Sequence, residues 1–162
     1  MIKIESAIRA LTRSNVEFVI IGGVAIRTHS SSYITFDLDF CYSRTKENLK
    51  NLAKALSPYK PRPRNFPSDL PFVFDKSTLQ GGTNFTFQTE IGDIDLLDEV
   101  VGVGDYEAVK AYSQIKHLYG CDVQILSLEG LIKAKRALGR TKDLLVLPEL
   151  EALREVLAEG IE

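Results

Sequence analysis

Two aspartates, Asp37 and Asp39, interrupt an otherwise apolar and β-branched run, ITFDLDFCY, at residues 34–42. The run alternates as a strand does, and side chains two apart on a strand share a face. Both carboxylates therefore project the same way, about 6–7 Å apart at Cα. Phe36, Leu38 and Phe40 turn to the opposite face as core candidates. Two anions side by side on a sheet repel each other unless a cation sits between them. The pattern returns at Asp93-Ile94-Asp95-Leu96-Leu97. Three or four carboxylates on adjacent strands make a hard-oxygen site suited to Mg2+, which takes its remaining ligands from water and substrate phosphates.

A lone Asp-x-Asp is more often an exposed strand face carrying unrelated acids. Here it follows a strand, Gly22-Gly23 and a short helix. Glycine lets the backbone approach a ligand closely, and a helix N-terminus offers unpaired N–H groups to a phosphate. Glycine pair, carboxylate pair and a later acid on a strand form a far more specific pattern than any of the three alone.

That pattern, IGGVAIRTHSSSYITFDLDF at residues 21–40, resembles the nucleotidyltransferase superfamily that includes DNA polymerase beta. The match is to small bacterial nucleotidyltransferase domains related to antibiotic-modifying enzymes and abortive-infection toxins. The tail SLEGLIKAKRALGRTKDLLVLPELEAL, residues 127–153, resembles the ending of the same families. The resemblance covers roughly residues 16–157, and its specific motifs are the two ends. It implies that Asp37 and Asp39 hold two Mg2+ ions. It implies that a third acid, matched to Asp95, completes the site and serves as general base; Asp93, on the same face, is its competitor. Gly22 and Gly23 match the turn that cradles nucleoside triphosphate phosphates, and Thr35 matches the family threonine before the acids. Lys135 and Asp143 match the K…KD positions, with Lys135 or Arg140 as a phosphate contact or Lys135 and Asp143 as a buried pair locking the last helix. His29 either meets a phosphate or the acceptor, or hydrogen-bonds the loop it starts. Tyr33 stands where many relatives carry arginine, Gly130 where they carry aspartate, and Ser30 where glycine is common.

The elements that must position these residues follow from periodicity. Ile4, Ala7, Ile8 and Leu11 mark an amphipathic helix at residues 3–13, and EFVII at 17–21 reads as a buried strand. A short helix at 24–29 and a polar loop, Ser30-Ser31-Ser32, precede the acidic strand. Thr45 caps a helix reaching Leu56. Five prolines between 58 and 71 make an extended loop carrying Lys60, Arg62 and Arg64. Residues 72–75 and 85–87 read as a hairpin across Gly81-Gly82, followed by a strand at 91–97. A helical turn at 106–110, strands at 114–118 and 123–126, a Ser127-capped helix ended by Gly139, and a helix from about 147 to 157 complete the chain. The expected fold is α+β, a central mixed α/β sheet flanked by helices with helices at the C-terminus, as one domain over residues 1–162.

With 162 residues the chain buries about two-thirds of its unfolded surface without staples. Its 44% apolar content argues against disorder, and a net charge of -2 excludes a broadly basic nucleic-acid coat. Cys41 and Cys121 are too few for a disulfide scaffold or zinc cluster and read as reduced thiols. The most apolar stretch, residues 16–26, is too short for a bilayer span, and no signal segment is apparent, so a cytoplasmic location is expected with no membrane partner. The expected activity is Mg2+-dependent transfer of a nucleotide from a nucleoside triphosphate such as ATP to an acceptor hydroxyl on a small molecule, RNA or protein. The alternatives are a toxin–antitoxin component acting on a partner protein, or a nucleotide-binding domain without turnover. A basic surface formed by Arg62, Arg64 and the tail would point to an RNA or protein acceptor.

Overall fold

The computed structural model describes residues 1–30 and 33–160; Ser31 and Ser32 of the polar loop, with residues 161 and 162, lie outside the described residues. The chain runs through α1 (Ile4–Arg13), β1 (Phe18–Ile21), α2 (Gly22–His29), β2 (Asp37–Tyr42) and α3 (Lys46–Leu56). It continues through β3 (Arg62–Pro63), α4 (Lys76–Gln80), β4 (Phe85–Thr89), β5 (Gly92–Leu97), β6 (Glu99–Val100) and β7 (Gly104–Asp105). The last part is α5 (Tyr106–Ala111), β8 (Ser113–Leu118), β9 (Cys121–Leu126), α6 (Leu128–Leu138) and α7 (Thr141–Ala158).

Seven strands form one sheet in the order β3-β4-β5-β2-β1-β9-β8, and β6 pairs with β7 separately. Within the large sheet β2 runs parallel to β5, and β1 parallel to β9; the other neighbours are antiparallel. The sheet is therefore mixed, as the alternation of helices and strands predicts. Period two divides β2 and β5 cleanly. Leu38, Phe40, Ile94 and Leu96 are buried completely, while the four aspartates between them stay on the opposite, partly exposed face. Helix α2 packs on β1, β2 and α6, and α7 packs on α6.

Local signals place most boundaries. The Thr45 hydroxyl accepts from the Asn48 N–H at 3.2 Å and starts α3. Asn48 is itself buried, with its amide donating to the carbonyls of Glu17 and Ser43, so α3 is tied to both strands at one end of the β1–β2 pair. Gly139, at φ +61°, ends α6 in the left-handed conformation.

Four segments differ from the sequence expectation. The acidic strand begins at Asp37 rather than at residue 34, because both neighbours run out: β1 ends at Ile21 opposite Asp39, and Asp37 lies opposite Asp93 near the start of β5. Phe36 is consequently 62% exposed and not in the core. Residues 72–75 form no strand; Asp75 makes a capping box with Thr78 and opens α4, so the hairpin across Gly81-Gly82 is replaced by a β4–β5 hairpin. The proline loop contains β3, where Pro63 is tolerated because the strand lies at the sheet edge. Helix α7 starts at Thr141, six residues early, because Asp143 accepts from the backbone N–H of Arg140 and caps it.

Candidate functional site

Cross-strand register builds the site. Asp37 faces Asp93 and Asp39 faces Asp95 across the parallel β2–β5 ladder. One ligand oxygen from each of Asp37, Asp39 and Asp95 lies within 4.8 Å of the others. Asp93 is not in that cluster. Burial, followed by the charge of Asp95, pushes the Asp39 carboxyl up to about 7. Asp37 is raised by the same two causes, with Arg64 and Lys142 partly offsetting them. Asp39 Oδ1 is buried and makes no hydrogen bond among the described residues. A buried carboxylate oxygen without a donor is costly in a protein and natural for a cation ligand. The donor set, three carboxylates and no nitrogen or sulfur, fits a hard divalent cation.

Gly22 and Gly23 are the first turn of α2, not a break ahead of it. Gly22 adopts φ +67°, and a Cβ there would overlap the Asp39 carboxylate. A Cβ on Gly23 would overlap the Thr35 hydroxyl, which donates to the Asp37 carbonyl at 3.2 Å. The two glycines thus let the helix start directly against the acidic strand. Ile21, at the N-cap, supplies no side-chain cap to the first N–H groups of α2. Those groups form the positive end of the helix dipole, where an anion is favoured.

A cavity of about 280 Å³ opens here, lined by Gly22, Gly23, Thr35, Asp37, Asp39 and the cations Lys135, Arg140 and Lys142. A second cavity, of about 310 Å³, lies beyond Asp39 and is mostly apolar, with Leu97, Val101, Leu131 and Leu138 in its walls. The two share Gly22, Asp39, Lys135 and Arg140. The first suits phosphates, and the second suits a flat or aliphatic group.

Lys135 is held for this position. Its Nζ donates to Asp143 at 3.0 Å, and the Arg140 guanidinium meets the same carboxylate at 2.6 Å. The fully buried Asp143 is driven down to about 2, first by Arg140 and then by Lys135. Lys135 is therefore both a locking partner of the last helix and a cation at the cavity wall. Asp143→Asn keeps the cap but loses the charge, at a cost of about 2 kcal/mol. The depressed group stabilises the fold above its unfolded value near 4, and this is lost as pH falls through about 2. Urea unfolding of both proteins should show the Asn penalty at pH 6 and little of it near pH 2; an equal penalty at both would refute the ion-pair origin.

Other sequence candidates fall elsewhere. His29 Nε2 lies 3.2 Å from the Leu126 carbonyl, and burial lowers its pKa, so it ties α2 to β9. Arg62 donates to the carbonyls of Pro67 and Leu70 and sits over Phe66. Arg64 turns inward, with Nη2 2.7 Å from Asp95 and Nε 3.3 Å from Asp93. Arg62 thus ties the proline loop together while Arg64 belongs to the site, so Arg64 does not contribute to a basic surface of the loop. The inward turn of Arg64 and the apolar second cavity are the features that sequence reading missed. Nothing in the spacing of a Pro-Arg-Pro-Arg loop marks which arginine folds back.

No protein-family model matches the sequence, and no curated protein matches it at a significant level. Solved structures do. A candidate nucleotidyltransferase from Thermotoga maritima aligns over 98% of this chain and 96% of its own, with a TM-score of 0.53 and 14% identity. The antibiotic-resistance factor ANT(2'')-Ia aligns over 97% of this chain and 90% of its own, with a TM-score of 0.59 and 15% identity. The chain therefore has a nucleotidyltransferase-type fold, spanning nearly the full length of both neighbours.

Proposed function

We propose that the protein transfers a nucleotide from a nucleoside triphosphate to an acceptor hydroxyl, with a divalent cation held by Asp37, Asp39 and Asp95. The observation that carries this reading is the placement of three clustered carboxylates against a glycine-opened helix N-terminus, with Lys135, Arg140 and Lys142 across the cavity. The fold shared with the two structural neighbours supports it. Bound Mg2+ would supply charge neutralisation for the triphosphate and for the developing pyrophosphate.

The chain's own residues supply the rest. The open N–H groups at Gly22 and Gly23 bind phosphate oxygens, and the three cations offset charge that the carboxylates would otherwise repel. Asp95 accepts the proton from the acceptor hydroxyl as its oxygen attacks the α-phosphorus. The bond from that phosphorus to the bridging oxygen breaks, and pyrophosphate leaves. Positioning and electrostatics are enough for such a transfer, because little covalent work falls to the protein. The acceptor belongs to one of three classes: small molecule, RNA or protein. Among the described residues no helix is long and apolar enough to cross a membrane.

The test is incubation with each labelled triphosphate, Mg2+ and a mixture of cellular RNA and protein. Label transfer is expected that disappears with chelator and in Asp37→Ala/Asp39→Ala. Absence of Mg2+-dependent triphosphate binding at millimolar concentration would refute the reading.

A further inference from the structure

Arg64 sits in one cross-strand row with the acids. Pro63 pairs with Phe87, and the Arg64 N–H donates to the Thr86 carbonyl at 2.8 Å, carrying the β3–β4 ladder one residue further. Thr86 faces Asp95, and Asp95 faces Asp39. The row is thus Arg64, Thr86, Asp95, Asp39, on the face that carries the carboxylates. Neighbouring strands lie about 4.8 Å apart, so Asp95 is two strand spacings from Arg64, within reach of an extended arginine meeting an aspartate. A small residue, Thr86, occupies the position between. The guanidinium ends 2.7 Å from Asp95 Oδ1 and 3.3 Å from Asp93 Oδ2, and it is mostly buried.

Asp37, Asp39, Asp93 and Asp95 would repel one another on a bare sheet face. Arg64 is their one direct ion-pair partner among the described residues. It also commits one oxygen of Asp95 and so fixes how that carboxylate is presented to the cluster. Only Nη2 hydrogen-bonds a carboxylate, that of Asp95; Nε meets Asp93 as an ion pair without a hydrogen bond. A lysine could supply the charge but not the rigid planar group that lies against both carboxylates. We propose that Arg64 is a positioning residue that neutralises the acid row without a divalent cation and holds Asp95 in its working orientation when one is bound. This rests on the metal-dependent reading above. Arg64 shares the acids with the cation and does not ligate it, so its removal has opposite consequences for binding and for turnover.

The experiment compares wild type, Arg64→Gln and Arg64→Lys by Mn2+ binding without nucleotide, by thermal unfolding in chelator and in saturating Mg2+, and by steady-state transfer. Loss of a nearby positive charge is expected to tighten Mn2+ binding about tenfold in Arg64→Gln, and Arg64→Lys to stay within about threefold of wild type. Arg64→Gln should unfold at a lower temperature in chelator, with Mg2+ restoring more of the midpoint than in wild type. Both variants should lose kcat at least about tenfold with little change in triphosphate KM, because neither reproduces the planar guanidinium contact that orients Asp95. Unchanged or weakened Mn2+ binding in a folded Arg64→Gln protein, or full kcat in Arg64→Lys, would overturn the assignment. If Arg64→Gln fails to fold, Arg64→Lys carries the test through kcat and Mn2+ affinity. Failure of the underlying reading looks different: Mn2+ would bind wild type and Asp37→Asn/Asp39→Asn equally, or neither.

Discussion

Asp39→Asn is expected to reduce nucleotidyl transfer at least about a thousandfold while raising the unfolding midpoint of the protein in chelator. The two effects have one origin. Asp39 is the most confined of the three clustered carboxylates: Gly22 presses on it, one of its oxygens has no donor, and Asp95 lies opposite. An arrangement that suits a divalent cation is an unfavourable place for a bare anion. A thousandfold loss corresponds to about 4 kcal/mol of transition-state stabilisation, a magnitude attainable when a charged ligand is replaced by a neutral amide. The stability gain has a pH signature. The Asp39 carboxyl is raised to about 7 in the folded protein, against an unfolded value near 4. Between these limits the unfolded chain has lost a proton that the folded protein keeps, so metal-free stability falls as pH rises from 4 to 7. The accumulated penalty is of the order of 2–4 kcal/mol. Asparagine never ionises, so Asp39→Asn should overtake wild type across that window and stay ahead at pH 8. Urea unfolding in chelator at pH 5 and pH 8 measures the crossover, and saturating Mg2+ should restore the wild-type advantage. A variant less stable than wild type at pH 8 in chelator would show that the carboxylate is a structural anchor.

That trade between stability and site explains why the acids were legible in the sequence. Polar residues at alternating positions of an apolar strand violate the local logic of a core element, and such violations concentrate where function demands them. Period two then assigned Asp37, Asp39, Asp93 and Asp95 to one face without any knowledge of the partners. The capped helix at Thr45 and the glycine stop at Gly139 were legible for a related reason: both are settled by a few adjacent atoms. Much of what failed is decided by a distant neighbour. Phe36 continues the alternation of its strand, yet it is exposed because β1 and β5 supply no rung beyond Asp37. Residues 72–75 are the local exception: they have strand composition, but Asp75, a favoured N-cap residue, closes a capping box with Thr78 three residues on. Asp95, the acid matched as third in the sequence, joins the cluster because the parallel register sets it opposite Asp39, the more buried of the pair; Arg64 contacts both Asp95 and Asp93. Arg64 itself, two strands from the acids, belongs to the loop by sequence and to the site by topology.

The glycine pair offers the sharpest test of how tightly helix and acids are joined. Gly22→Ala is expected to destabilise the protein by about 3 kcal/mol and to lower transfer by at least about a hundredfold. Part of the stability loss is local, because a non-glycine residue in the left-handed region costs about 1–2 kcal/mol. The remainder comes from the new methyl group, which would sit inside the Asp39 carboxylate and force strand and helix apart. Gly23→Ala meets a different neighbour. That residue has ordinary helical φ, and its Cβ would meet the Thr35 side chain, with the Tyr33 ring close by. Thr35→Ala removes the hydroxyl, the nearest atom in the way, so Gly23→Ala/Thr35→Ala should recover part of the stability lost in Gly23→Ala. A rescue of Gly22→Ala comes only at the expense of the site, since the atoms in its way are the cation ligand itself. Shortening that ligand in Gly22→Ala/Asp39→Ser should restore the unfolding midpoint toward wild type and leave transfer abolished. Chemical denaturation and transfer rates on these variants separate the two contributions. Full transfer by Gly22→Ala would mean that the helix start stands further from Asp39 than the proposed site allows.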